Sequence, residues 1–185
     1  GLLAARMREF RLALKEATGR TQPFGSDVFP PSVALLGGHD YATWSQGADY
    51  LTGGSSFGGG VGWATMVTNL AGEWAPALCR TIDGLEENEA LDLVYRLFGY
   101  DDFDLPRTLA NLQEAELPLT EIFAREVAKL KAVAPDELEL YPPLSVSAAP
   151  DTVQALCAAA VANECDGAML SFGAGEETVA NVLQL

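Results

Sequence analysis

Apolar residues recur at three- and four-residue spacing over Leu3, Met7, Phe10, Leu14 and Ala17, which predicts a helix from Leu2 to about Thr18 with Gly19 as its stop. Phe24 to Val33 reads as a buried strand, but Pro30-Pro31 cannot donate to a ladder, so the regular strand should end near Phe29. Asp40 is placed to cap a short helix running through Trp44 to Gly47, and residues 49–52 begin a second strand. Six of the 18 glycines fall between Gly53 and Gly62, so this strand should empty into a loop, followed by a helix over residues 61–77. Residues 86–98 carry Leu91, Val94, Tyr95 and Phe98 on one helical face. Helices are also expected over 105–115 and 119–133, the latter with Ile122, Phe123, Val127 and Leu130 as its stripe. A third strand spans 137–146 and bends at Pro142-Pro143. Asp151 should cap a helix facing Val153, Leu156, Cys157, Ala160 and Val161 inward, ahead of a fourth strand at 167–172 and a last helix at 176–183.

This alternation predicts an α/β fold of parallel strands with helical crossovers, forming one unit over residues 1–185. Two architectures satisfy it. One is four strands of a (β/α)8 TIM barrel, its second half; the other is a small open doubly wound sheet.

Composition narrows the partners. The chain of 185 residues has 26 Asp+Glu against 11 Lys+Arg, a net charge of −15, and is 49% hydrophobic, enough for a packed core. Nucleic acid and anionic membranes both require clustered cations, so neither is expected as a partner. The charge is uneven, however: residues 1–20 hold five cations against two acids, net +3, which leaves −18 for the remainder. That basic stretch is either a solvated helix face or a docking face for an acidic partner. Neither a spanning segment nor a signal peptide is evident. Three cysteines without C-x-x-C spacing (Cys79, Cys157, Cys165) read as free thiols in a reducing, cytoplasmic setting, and no metal or cofactor is expected. The Gly-Leu-Leu start suggests a piece of something longer.

Several segments carry a diffuse resemblance: Ser26-Asp27-Val-Phe29-Pro-Pro-Ser32, Gly38-His-Asp40-Tyr41, Leu105-Pro-Arg-Thr-Leu109, Asn163-Glu-Cys-Asp166-Gly167-Ala-Met-Leu-Ser171 and Glu177-Thr-Val-Ala-Asn181. Together they resemble a bacterial family of glycoside-hydrolase-like TIM-barrel proteins, over nearly the whole chain. The resemblance implies strands 5 to 8 of a barrel, with a carbohydrate ligand and either the missing barrel half or a second copy as partner. It also implies catalytic carboxylates at the ends of strands 4 and 7. Strand 4 would precede this chain; at strand 7, where relatives tend to carry Glu, Ser145 stands. At strand 8, Phe172-Gly173 replaces Trp-Asp, so the chain resembles a catalytically depleted descendant.

The residues themselves offer few replacements. Asp27, within its strand, is either a buried satisfied acid or one that meets a ligand; Asp40 is either an N-cap or a binding carboxylate beside His39. Tyr41, Phe57, Trp63, Ser145 and Phe172 are the candidates for substrate binding, the aromatics either as sugar-stacking platforms or as helix-to-sheet packing. The glycine run Gly53–Gly62 lacks the Gly-Lys-Ser/Thr of a P-loop, and Glu176-Glu177 would repel an anion at Gly173–Gly175. Serine hydrolase chemistry at Ser145, Ser147 or Ser171 has no second histidine to support it.

Overall fold

A computed structural model of the chain describes residues 1–53, 61–172 and Thr178. Helix α1 (Leu2–Thr18) ends where Gly19 takes a left-handed φ of 65°, turning the chain back toward β1 (Gly25–Val28). A one-turn helix α2 (Pro31–Ala34), a 3-10 turn (Leu35–Gly37) and a 3-10 helix (Tyr41–Gln46) lead to β2 (Tyr50–Gly53). Then come α3 (Gly62–Thr81), α4 (Glu87–Phe98), α5 (Leu109–Glu114) and α6 (Leu119–Val133), followed by β3 (Glu139–Tyr141), β4 (Pro143–Ser145), α7 (Pro150–Ala162) and β5 (Met169–Ser171).

All strand pairings among the described residues are parallel. β1, β2 and β3 form one sheet in that order, with Asp27 opposite Thr52 and Thr52 opposite Tyr141; β4 and β5 form a second pair. The two sheets are joined by one bent strand. Pro142, between β3 and β4, has no N–H to offer, but its carbonyl accepts from Met169, and Leu140 exchanges bonds with Asp166 on that same side. The lateral order is therefore β1, β2, β3/β4, β5, the order of the sequence. The sheets are small and open, and no closed barrel forms among the described residues.

The core occupies one face. Val28, Leu51, Leu140 and Leu144 point from the strands into a cluster with Trp63, Val67, Leu91, Phe98, Ile122, Phe123 and Leu156. Burying each large side chain contributes about 1.5–3 kcal/mol. Helix α4 starts with a capping box in which the Glu86 carboxylate accepts from the N3 backbone N–H and Glu89 accepts from the Glu86 N–H, and it stops at Gly99, φ 68°. Thr108 caps α5 by accepting the Asn111 N–H.

Two expectations are corrected, and one regular apolar stripe proves to face solvent. The α1 stripe does not face a core: Phe10 is 60% exposed, and only Ala4 of the helix is buried. Val161, expected inward, is 77% exposed near the end of α7. Asp151 lies inside the first turn of α7 rather than capping it; Ala149 holds the cap position, and the acid there favours the helix dipole. Most of the glycine run and the last helix fall outside the described residues.

Candidate functional site on the open sheet face

Side chains alternate along a strand, so a sheet with its core on one side presents a second set of residues on the other. Here that set is Gly25 and Asp27 from β1, Tyr50 and Thr52 from β2, and Glu139 and Tyr141 from β3, aligned in two rows by the register. The Tyr50 ring lies over Gly25 so closely that a Cβ there would sit 1.9 Å from a ring carbon. Tyr50 and Tyr141 meet edge to face, centroids 5.7 Å apart at 84°. The Tyr141 hydroxyl donates to Glu139 Oε2 at 2.8 Å, and this bond to a carboxylate raises the phenol's pKa. Thr52 Oγ1 rests against the Met169 sulfur.

Asp27 is exposed at the downstream end of β1, and its carboxylate has no partner among the described residues. Ser145 and Ser171 are half-buried opposite one another at the ends of β4 and β5, with Ser171 Oγ donating to the Leu144 carbonyl at 3.3 Å. Phe172 follows, 65% exposed. This face therefore assembles one unoccupied carboxylate, hydroxyls and two tyrosine rings. Glycosidic hydrolysis needs two carboxylates across the bond, and Glu139 lies at the opposite end of its strand, already accepting a hydrogen bond.

The other candidates lie elsewhere. Tyr41 is buried and donates to the Phe29 carbonyl, and burial, then the Glu126 charge, raises its pKa. His39 Nδ1 accepts the Phe29 N–H at 3.1 Å, while its ring stacks on Phe29 with centroids 4.6 Å apart; desolvation lowers its pKa. His39 and Tyr41 thus clamp the backbone where β1 ends. Asp40 begins the 3-10 helix and accepts from the Thr43 hydroxyl at 3.2 Å. Trp63 is 1% exposed, tilted against Phe123 in the core, so its ring offers no platform. Its indole N–H, however, is buried without a partner among the described residues, and the ring edge approaches Gly53 at the end of β2. Phe57 lies outside the described residues.

One cluster escaped the sequence reading. Glu126, 0% exposed, accepts from Ser32 Oγ (2.5 Å), Ser32 N (2.9 Å), Tyr100 OH (2.5 Å) and Lys129 Nζ (2.9 Å). Lys129 also reaches Ser32 Oγ at 2.7 Å and the Phe98 carbonyl. Burial, then the adjacent Glu126, drives the Tyr100 pKa upward. A serine, a lysine and a carboxylate in contact suggest nucleophilic chemistry, but every acceptor position is filled from within. The cluster fastens α2 to α6 and to the end of α4. Its sequence signal was the acid at position 126, one turn from both Ile122 and Leu130 in an apolar stripe.

The three cysteines are free and half-buried, and no group of three or more potential metal ligands occurs among the described residues. No described helix is long and apolar enough to cross a membrane. No family model, curated protein or solved structure matches the chain.

Proposed function

We propose that this chain is the C-terminal half of a glycoside-hydrolase-like (β/α)8 barrel, catalytically depleted, which binds carbohydrate on its open sheet face. The observation that supports this reading most is the lateral strand order. Doubly wound sheets reverse direction at a switch point and carry helices on both faces, whereas successive parallel strands with one helical layer are how a barrel is built. The face left open would become the barrel interior. Asp27, Thr52 and Tyr141 lie across it, with Ser145 and Phe172 at the strand ends where barrel proteins bind ligands.

The test is calorimetric titration with a panel of oligosaccharides, paired with aryl glycoside hydrolysis assays. Saturable binding without turnover is expected, weakened about tenfold by Asp27→Asn and by Tyr141→Ala, roughly the loss of one charge-assisted hydrogen bond or one stacked ring. Binding unchanged in both variants would remove this face from the reading.

A second reading draws on the exposure of Leu2, Leu3 and Phe10 on α1, together with the unpaired outer edges of β1 and β5 among the described strands. On this reading the chain is an assembly module, and the same half-barrel surface pairs with a partner half or a second copy. A clean monomer by light scattering that melts cooperatively would exclude self-pairing.

A further inference from the structure

The second half of α1 and the segment Arg20–Phe24, folded back by the left-handed turn at Gly19, enclose a cleft of about 290 Å³. We propose that this cleft binds a small phosphomonoester, with its phosphoryl group held by Arg8, Lys15 and Arg20 and its organic body lying over Leu12, Pro23 and Phe24.

Four observations carry the inference. First, Arg8, Arg11 and Lys15 project from one helical stripe, at i, i+3 and i+7, into a cleft that Arg20 closes from the other side. Second, only Arg11 has a counter-charge: its guanidinium meets the Asp49 carboxylate at 2.7 Å, while Arg8, Lys15 and Arg20 have no ion pair among the described residues. A protein of net charge −15 has acids to spare, yet three cations are gathered here unpaired.

Third, the walls are fixed. Asp49 also accepts the Phe24 N–H at 2.8 Å and Asp49 N donates to the Phe24 carbonyl at 2.7 Å, which ties the return segment to the start of β2. Across the cleft, Gly47 lets α1 approach to within a Cβ-excluding distance. Fourth, the lining is amphipathic: Leu12, Pro23 and Phe24 supply an apolar surface, and Thr18, Gln22 and Gln46 add neutral polar groups. The volume falls at the small end of the usual range for ligand sites, about 300–1,000 Å³, which suits a phosphomonoester. The cleft lies at the upstream ends of β1 and β2, away from the sheet-end residues proposed for sugar binding, and it does not depend on that proposal.

The experiment is calorimetric titration of the full chain with phenyl phosphate and with inorganic phosphate, at low and at physiological ionic strength. Phenyl phosphate should bind one to one, more tightly than inorganic phosphate and more weakly as salt screens the cations. Lys15→Ala with Arg20→Ala should weaken it by about tenfold or more, the scale of lost charge-assisted bonds, while Lys15→Arg should retain it. These side chains are exposed, and alanine preserves helix propensity at position 15, so circular dichroism should show an intact fold. Absence of saturable phenyl phosphate binding, or equal binding in the double variant, would overturn the proposal. So would cosedimentation with phosphatidylserine vesicles in the absence of phenyl phosphate binding, which would make the cations a membrane contact.

Discussion

Glu126 and Asp27 are both acids within regular elements, and the molecule treats them in opposite ways. Glu126 is sealed beneath α2 with four donors directed at its two oxygens; Asp27 stands on the open face with none among the described residues. The buried group looks more like catalytic machinery because it gathers a serine, a lysine and a tyrosine. Yet a carboxylate whose acceptor positions are filled internally has nothing left for a ligand, and burying it demands those partners. Density of hydrogen bonding marks where this fold is fastened, and an unfilled valence marks where something else can attach.

The contrast can be broken most forcefully at Glu126. Glu126→Ala should cost about 3–5 kcal/mol in urea unfolding, because it removes the acceptor of the buried Tyr100 hydroxyl and of the Ser32 N–H and unpairs the half-buried Lys129. A loss below about 1 kcal/mol would show that the cluster is no fastener. Two glycines sharpen the same comparison at lower cost. A Cβ at Gly47 would lie 2.7 Å from the Ala4 backbone carbonyl, so Gly47→Ala should cost about 1–3 kcal/mol and loosen α1, read by urea unfolding and proteolysis. The atoms nearest a Cβ at Gly25 all belong to the Tyr50 ring, a side chain that can shift where backbone cannot, so Gly25→Ala should cost less than Gly47→Ala.

A smaller effect belongs to His39. Its folded pKa lies below the ordinary 6.5, so the unfolded chain binds more protons in the window just beneath that value. The stability it contributes is complete above about pH 6.5 and declines as pH falls toward the folded pKa. His39→Asn, which can still accept the Phe29 N–H, should flatten that part of a stability–pH profile. The smallest effect is expected at Asp27, where Asp27→Asn should change stability by less than about 0.5 kcal/mol, as for an exposed group with no partner. A larger loss would mean that the open face is already occupied from within.

Strand and helix identities were legible because both periods are written plainly: Leu91, Val94, Tyr95 and Phe98 recur at helical spacing and are all buried. The bend at Pro142-Pro143 was legible for a different reason, the missing donor, and it is where one strand passes between two sheets. What periodicity cannot convey is what covers a face. The α1 stripe is regular and still faces solvent, and of the two readings open for Trp63, sugar platform or packing, its ring takes the packing one and closes the core. Contacts between residues distant in sequence, such as Ser32 with Glu126, have no local signature except the acid that interrupts an apolar stripe.

The crossover from Gly53 to Glu139 bears on how fast this chain reaches its native state. β1 meets β2 over a short connection, and α3 meets α4 as neighbours, but β2 can find β3 only after all of α3 to α6 has been drawn together. Closing a long segment carries its entropic cost before any contact rewards it, so kinetics should be governed by the most distant pairing. Leu140, which takes part in that pairing, should then report chiefly on the folding limb of a chevron plot when it is shortened to alanine. The same crossover that sets β3 beside β2 would thus act as the clock of folding.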